Sequence, residues 1–172
     1  MTGEQVGMGL TVEALLDDLT PAERERAERI ESVLPALADA AVEADRDGEF
    51  PRQHVATLGE AGLLGLVVPE EFGGLGGGLR DLAGACFAMG TVCPSTALAF
   101  FFQNSSASRG LLPLEAADAG LFDSHEEPEV RAFAQKLLTR MGEGRWMANF
   151  ASESAKSSTA AIAISTEARR GS

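Results

Sequence analysis

Positive charge is scarce in this sequence: 14 Lys and Arg face 26 Asp and Glu, a net charge of -12 over 172 residues. Nucleic acid and anionic lipid surfaces are held by clustered cations. No Lys/Arg cluster is present, so neither is expected as a partner. Cysteine is scarcer still. Cys86 and Cys93 fall within or beside helical sequence and read as small apolar residues, not as a disulfide. A reducing, cytoplasmic compartment is therefore expected. The two histidines, His54 and His125, share no metal-ligand spacing with the cysteines, and no nucleophile motif accompanies either. No metal site is expected. The N-terminal MTGEQVGMGL has no basic region leading into a long apolar core, so no secretory signal is expected. Leu82 to Ser108 carries no charged residue, and about 20 apolar residues can span a bilayer. Gly90, Pro94, Ser95 and Thr96 interrupt that run, and Gln103-Asn104-Ser105-Ser106 follows. Two buried core helices fit it better than a membrane span.

What is present is apolar and largely helical. A 45% hydrophobic content over this length supports one domain with a real core, or one domain and part of another. Thr20-Pro21-Ala22-Glu23 is a helix start, with a Thr cap, Pro where no donor is needed and Glu placed to reach back. Ala27, Ile30, Leu34, Leu37 and Ala41 then form one apolar face through about Glu43, with a kink or split expected at Pro35. Asp47-Gly48 ends it. Phe50-Pro51 opens a second helix with Val55, Leu58 and Ala61 inward and Gly62 as terminator. Leu63 to Val68 reads as a buried connector. Helices are expected over Leu79 to about Thr91, Ser95 to about Leu112, Glu115 to Leu121 and Glu126 to Met141. Phe100-Phe101-Phe102 point three ways round a helix, the pattern of an element surrounded by protein. Beyond Gly144, Trp146 to Phe150 and Ala160 to Thr166 read as strands joined by a Ser-rich turn. Two strands alone are marginal in water, so an unfinished second domain is expected there.

The connector runs into VVPEEFGGLGGGL, residues 67–79, where glycines crowd as in a phosphate-binding loop. Their spacing does not match one. Counted from Gly74, the third glycine of G-x-G-x-x-G is Leu79; counted from Gly73, Leu79 stands where a Walker lysine belongs. Glu70 and Glu71 would also repel an anion.

Gly62 to Gly76, the Ser95-Thr96-Ala97-Leu98-Ala99 helix and Gly142-Glu143-Gly144-Arg145-Trp146, in that order, resemble the acyl-CoA dehydrogenase family. The most distinctive stretch is the apolar connector followed by Pro-Glu-Glu-Phe-Gly-Gly. The resemblance runs from about Pro21 to the end. It implies a mainly α fold: an N-terminal extension over residues 1–20, a helical bundle over 21–145, and from 146 to 172 the first strands of an incomplete flavin-contacting β-domain. In that family the glycine stretch joins helices and binds no phosphate.

The resemblance also implies FAD as cofactor, an acyl-CoA or related small molecule as substrate, and a homo-oligomer for the full-length form. Asn149 to Ser158 sits where the family has its flavin-contacting strand and turn. Carried over residue by residue, Phe150, Ala151, Ser152, Ser157 and Ser158 are the cofactor-contacting candidates. Ser154, Ala155, Ser157 and Thr159 depart from the family's Pro, Gly, Gly and Asp, and a lost glycine hinders close backbone approach to pyrophosphate. The family's catalytic glutamate lies in a C-terminal domain, so no catalytic residue is assigned. The helix matching Ser95 to Leu112 walls the acyl pocket in the family. Ala97, Phe101 and Ser105, spaced by four, are its pocket-lining candidates. The expected function is a FAD-dependent oxidoreductase catalysing α,β-dehydrogenation of an acyl-CoA, the isolated chain being inactive. A flavin monooxygenase of the same fold and a non-catalytic helical module are the alternatives.

Overall fold

The computed structural model describes residues 18–48 and 50–144. Within them the chain forms six α-helices and no strand: α1 (Pro21–Asp47), α2 (Arg52–Glu60), α3 (Leu79–Gly90), α4 (Pro94–Ser105), α5 (Ser108–Asp118) and α6 (Glu127–Gly142). Two single 3-10 turns, Leu63–Gly65 and Glu70–Phe72, lie between α2 and α3. The strands expected beyond Trp146 lie outside the described residues, as does the boundary drawn at 145/146.

The start of α1 follows from its sequence. Thr20 Oγ1 accepts from the Glu23 amide at 3.2 Å while Glu23 Oε2 accepts from the Thr20 amide at 2.8 Å, a reciprocal cap that satisfies donors the helix cannot. Gly48, left-handed at φ 67°, ends it. Of the kink or split expected at Pro35, the split does not occur: one helix runs from Pro21 to Asp47. Pro35 is exposed, and Val33 and Leu37 on either side are buried in the core, so packing holds both halves in one helix.

Helix α4 was expected to continue to Leu112 and instead stops at Ser105. Serine hydroxyls compete for the carbonyls there: Ser106 Oγ donates to the Phe102 carbonyl at 2.7 Å and Ser108 Oγ to that of Ser105 at 2.7 Å. The Ser106, Ala107, Arg109 and Gly110 amides each bond three residues back, closing a tight turn from which α5 sets off. The separate helix expected at Glu115 is therefore the end of α5.

The main core joins Ile30, Val33 and Leu37 of α1 to Leu58, Leu63, Leu64, Leu66, Leu82, Ala85, Met89, Ala97 and Phe100. A second cluster, Val68, Ala107, Leu137, Leu138 and Met141, seats α6 against α5 and the connector. The connector is thus buried between both clusters, and Leu63, Leu64, Leu66 and Val68 are almost fully enclosed.

Candidate functional site: the outer face of α4 and the connector behind it

Helix α4 carries no charged side chain, and its two sides differ. Phe100, Gln103 and Asn104 are buried, whereas Leu98 is 57% exposed and Phe101 and Phe102 are each 43% exposed. The expectation that all three phenylalanines are enclosed does not hold among the described residues: only Phe100 is. Phe101 and Phe102 meet edge to face, ring centroids 5.7 Å apart at 62°. The result is an open apolar surface.

The three pocket-lining candidates are not brought to one surface. Ala97 turns inward and packs in the main core, Phe101 faces out, and Ser105 is half-buried with its hydroxyl given to the Phe102 carbonyl at 3.2 Å. Leu98 and Phe102 accompany Phe101 outward and were not singled out from the sequence, although the run of three phenylalanines signals that at least one must leave the core.

Behind this face, two buried amides lock α4 to the connector. Gln103 Nε2 donates to the Leu64 carbonyl at 3.0 Å; Asn104 Nδ2 donates to the Leu63 carbonyl at 3.2 Å and to that of Phe100 at 3.3 Å, while its Oδ1 accepts from the Val67 amide at 3.3 Å. Single-turn 3-10 segments leave main-chain groups without a helical partner, and these side chains supply one to the Leu64 carbonyl and the Val67 amide and a second one to the Leu63 carbonyl. Sequence reading saw only a polar cluster ending an uncharged run.

The glycine stretch spends its amides internally. Those of Gly74, Leu75, Gly76 and Gly77 donate to the carbonyls of Pro69, Gly65, Val68 and Leu66 at 3.2, 3.0, 2.9 and 2.7 Å. A Cβ on Gly74 would collide with the Val68 carbonyl, so glycine is required for backbone-on-backbone packing. These amides are not offered to a phosphate.

At its far end the stretch is anchored by charge. Asp81, near the start of α3, takes the Gly78 amide at 2.8 Å and the Arg26 guanidinium through two bonds, Nε to Oδ1 at 2.8 Å and Nη2 to Oδ2 at 3.2 Å. Arg26 also donates to the Leu75 carbonyl at 3.3 Å. The bond to Asp81 raises the Arg26 pKa, so its charge is permanent.

The entry to α4 is fixed by an uncharged polar cluster. Thr96 Oγ1 lies 2.7 Å from His54 Nδ1 and 3.2 Å from Cys93 Sγ, all three residues being buried. Among the described residues His54 Nε2 has no hydrogen-bond partner. Burial lowers the His54 pKa, so the folded chain takes up this proton less readily than the unfolded chain, whose histidine titrates near 6.5. Stability from this group is complete above about pH 6.5 and falls as pH drops through it, by up to about 1.4 kcal/mol per unit until the folded group itself titrates. Urea midpoints at pH 7.5 and 5.5 are expected to show this loss, and His54→Gln to reduce it; an equal loss in both chains would assign the effect elsewhere.

Burial pushes the Cys86 thiol up to about 11, which suppresses the thiolate at neutral pH. Alkylation by iodoacetamide at pH 7.5 is accordingly expected to be far slower than for free cysteine, and a matching rate would show the thiol exposed. Among the described residues no three His, Cys, Asp or Glu groups stand together as metal ligands. No helix described is long and apolar enough to cross a membrane. Phe150, Ala151, Ser152, Ser157 and Ser158 lie outside the described residues.

Six helices, a buried connector and an amide-locked α4 define, among the described residues, an α-helical scaffold with an open apolar face on α4. Residues 21–114 match the family described as Acyl-CoA dehydrogenase, N-terminal domain, and the chain belongs to that family. It is 39% identical over 128 residues to L-evernosamine nitrososynthase of a Micromonospora species, covering 73% of this chain and 28% of that protein. To the probable acyl-CoA dehydrogenase YngJ of Bacillus subtilis it is 40% identical over 78 residues, 45% of this chain and 20% of that protein. The crystal structure of nitrososynthase from Micromonospora carbonacea var. africana superposes with a TM-score of 0.63 at 36% identity, over 77% of this chain and 32% of that one. The chain thus spans less than a third of the length of each of these proteins.

Proposed function

We propose that this chain supplies the N-terminal helical wall of a flavin-dependent oxidoreductase, and that the chemistry is oxygenation of an amine on a sugar. The outer face of α4 carries this reading: Leu98, Phe101 and Phe102 form an apolar, aromatic surface without a carboxylate, suited to cover a reacting centre and shed its water. The likeness to the nitrososynthase extends over 128 residues and that to the probable dehydrogenase over 78, which favours amine oxidation.

Bound FAD, once reduced, would supply two electrons, so that amine, O2 and two protons give hydroxylamine and water. What this chain contributes is position. Gln103 and Asn104 hold α4 against the connector, with Phe101 on its exposed side. The described residues offer the flavin pyrophosphate no cradle, because the glycine amides are spent; Phe150, Ala151, Ser152, Ser157 and Ser158 are the proposed contacts. Cytoplasmic location and a homo-oligomeric full-length form belong to the same proposal.

The test grafts residues 21–144 into the matched span of the Micromonospora nitrososynthase, supplied with FAD, NADPH, a flavin reductase and oxygen. Retention of flavin after desalting and oxygen-dependent consumption of the amino sugar are expected. Flavin retention with oxidation of an acyl-CoA and no amine oxidation would overturn the reading in favour of dehydrogenation. The isolated chain is expected to turn over neither substrate.

A further inference from the structure

A groove of about 120 Å3 lies between α1 and α3, away from the contacts that fix α4. Ala27, Ile30 and Ala85 give it an apolar floor, and a Cβ on Gly84 would meet nothing within 4 Å, so the floor is open to an incoming side chain. An apolar cavity of about this size accepts a benzene-sized group. It falls short of the roughly 300 Å3 at which small-molecule sites begin. The space fits one apolar anchor, not a cofactor.

The charge around it is one-sided. Near the starts of α1 and α3, Arg26 pairs with Asp81 at 2.8 Å, and Arg80 stands 3.9 Å from Glu23, whose other carboxylate oxygen takes the Thr20 amide. From that junction the groove reaches Glu31 on α1 and Phe87 on α3. Glu31 is exposed, and among the described residues its side chain makes no hydrogen bond or ion pair. Phe87 is 51% exposed. A carboxylate without a counter-ion and the face of a phenylalanine both attract a cation.

We propose that the groove docks a segment of another protein, one aromatic or branched apolar side chain entering over Gly84 while a neighbouring Lys or Arg meets Glu31 and Phe87. Complementarity of charge selects this occupant. Glu31 lies about 6 Å along α1 from Ala27, which places the cation one helical turn from the anchor. A second copy of this chain, at a net charge of -12, would bring repulsion instead. This inference is independent of the proposed chemistry.

The probe is an alanine-based helical peptide with one Phe and a Lys four residues to either side, titrated into the whole chain and followed by amide NMR. Saturable shifts are expected at Ala27, Ile30, Gly84 and Ala85, with a Kd of about 1 mM or tighter. Peptides with Glu for both Lys, or with Ala for the Phe, are expected to bind at least tenfold more weakly. Glu31→Lys, at an exposed position, is expected to weaken the Lys peptide at least tenfold. Gly84→Leu is expected to abolish its shifts while the melting temperature holds or rises, because the new side chain enters open space and leucine is the better helix former. No saturable shift at the groove, equal binding of the Lys and Glu peptides, or unchanged binding to either variant overturns the proposal. Shifts at these amides that grow with protein concentration in the absence of peptide would name a second copy as the occupant and overturn it as well.

Discussion

Asp81→Ala is expected to cost this domain about 3 kcal/mol, read as a lowered urea midpoint at unchanged slope. The Asp81 carboxylate is 5% exposed and the Arg26 side chain 13%, so removing the acid leaves a guanidinium buried without its counter-charge. The Gly78 amide at the start of α3 loses its acceptor as well, a cap in its own right. The two losses act at one place, where α1, the glycine stretch and α3 meet. Arg26→Met/Asp81→Leu, which replaces both charges with apolar bulk, is expected to be far less damaging than the sum of the single changes. If Asp81→Ala costs less than about 1 kcal/mol, the pair behaves as an ordinary surface ion pair and does not anchor the connector.

Several elements were legible because a local rule decides them. Thr20-Pro21-Ala22-Glu23 carries both halves of a capping box, and Gly48 and Gly62 adopt the left-handed geometry that ends helices. The glycine stretch was legible by its failure to match phosphate-loop spacing, and its internally bonded amides give the reason. Connector and family were legible together, since Pro-Glu-Glu-Phe-Gly-Gly follows a short apolar run.

Where tertiary contacts decide, sequence reading missed. Pro35 breaks nothing because its neighbours are held in the core. Ser106 breaks α4 because hydroxyl and amide share the Phe102 carbonyl, a competition that helical periodicity does not register. The amides of Gln103 and Asn104 serve main-chain groups about forty residues earlier, a pairing no local pattern encodes. Ala97 and Phe101 separate because the core takes one side of α4 and leaves the other, which depends on where the connector lies.

Gly142→Ala is expected to destabilise the chain by about 2 to 3 kcal/mol despite adding a better helix former. Gly142 is the last residue of α6, and a Cβ there would strike the Phe72 carbonyl and the Gly73 backbone. Neither is the yielding end of a side chain, so the 3-10 turn at Glu70–Phe72 must shift or α6 must unwind. Gly90→Ala is the control: it sits in α3, its nearest neighbour would be the Ala97 methyl at 4.0 Å, and a gain of up to about 1 kcal/mol is expected. Thermal melts of the two variants decide the matter, for if both stabilise alike, α6 and the connector do not touch backbone to backbone. The displacement in Gly142→Ala has a path to the open face of α4. A moved connector carries the Leu63 and Leu64 carbonyls with it, and these are what Asn104 and Gln103 hold. Loss of slow exchange at the Val67 amide, which Asn104 Oδ1 accepts, is the expected signature that the collision has reached α4.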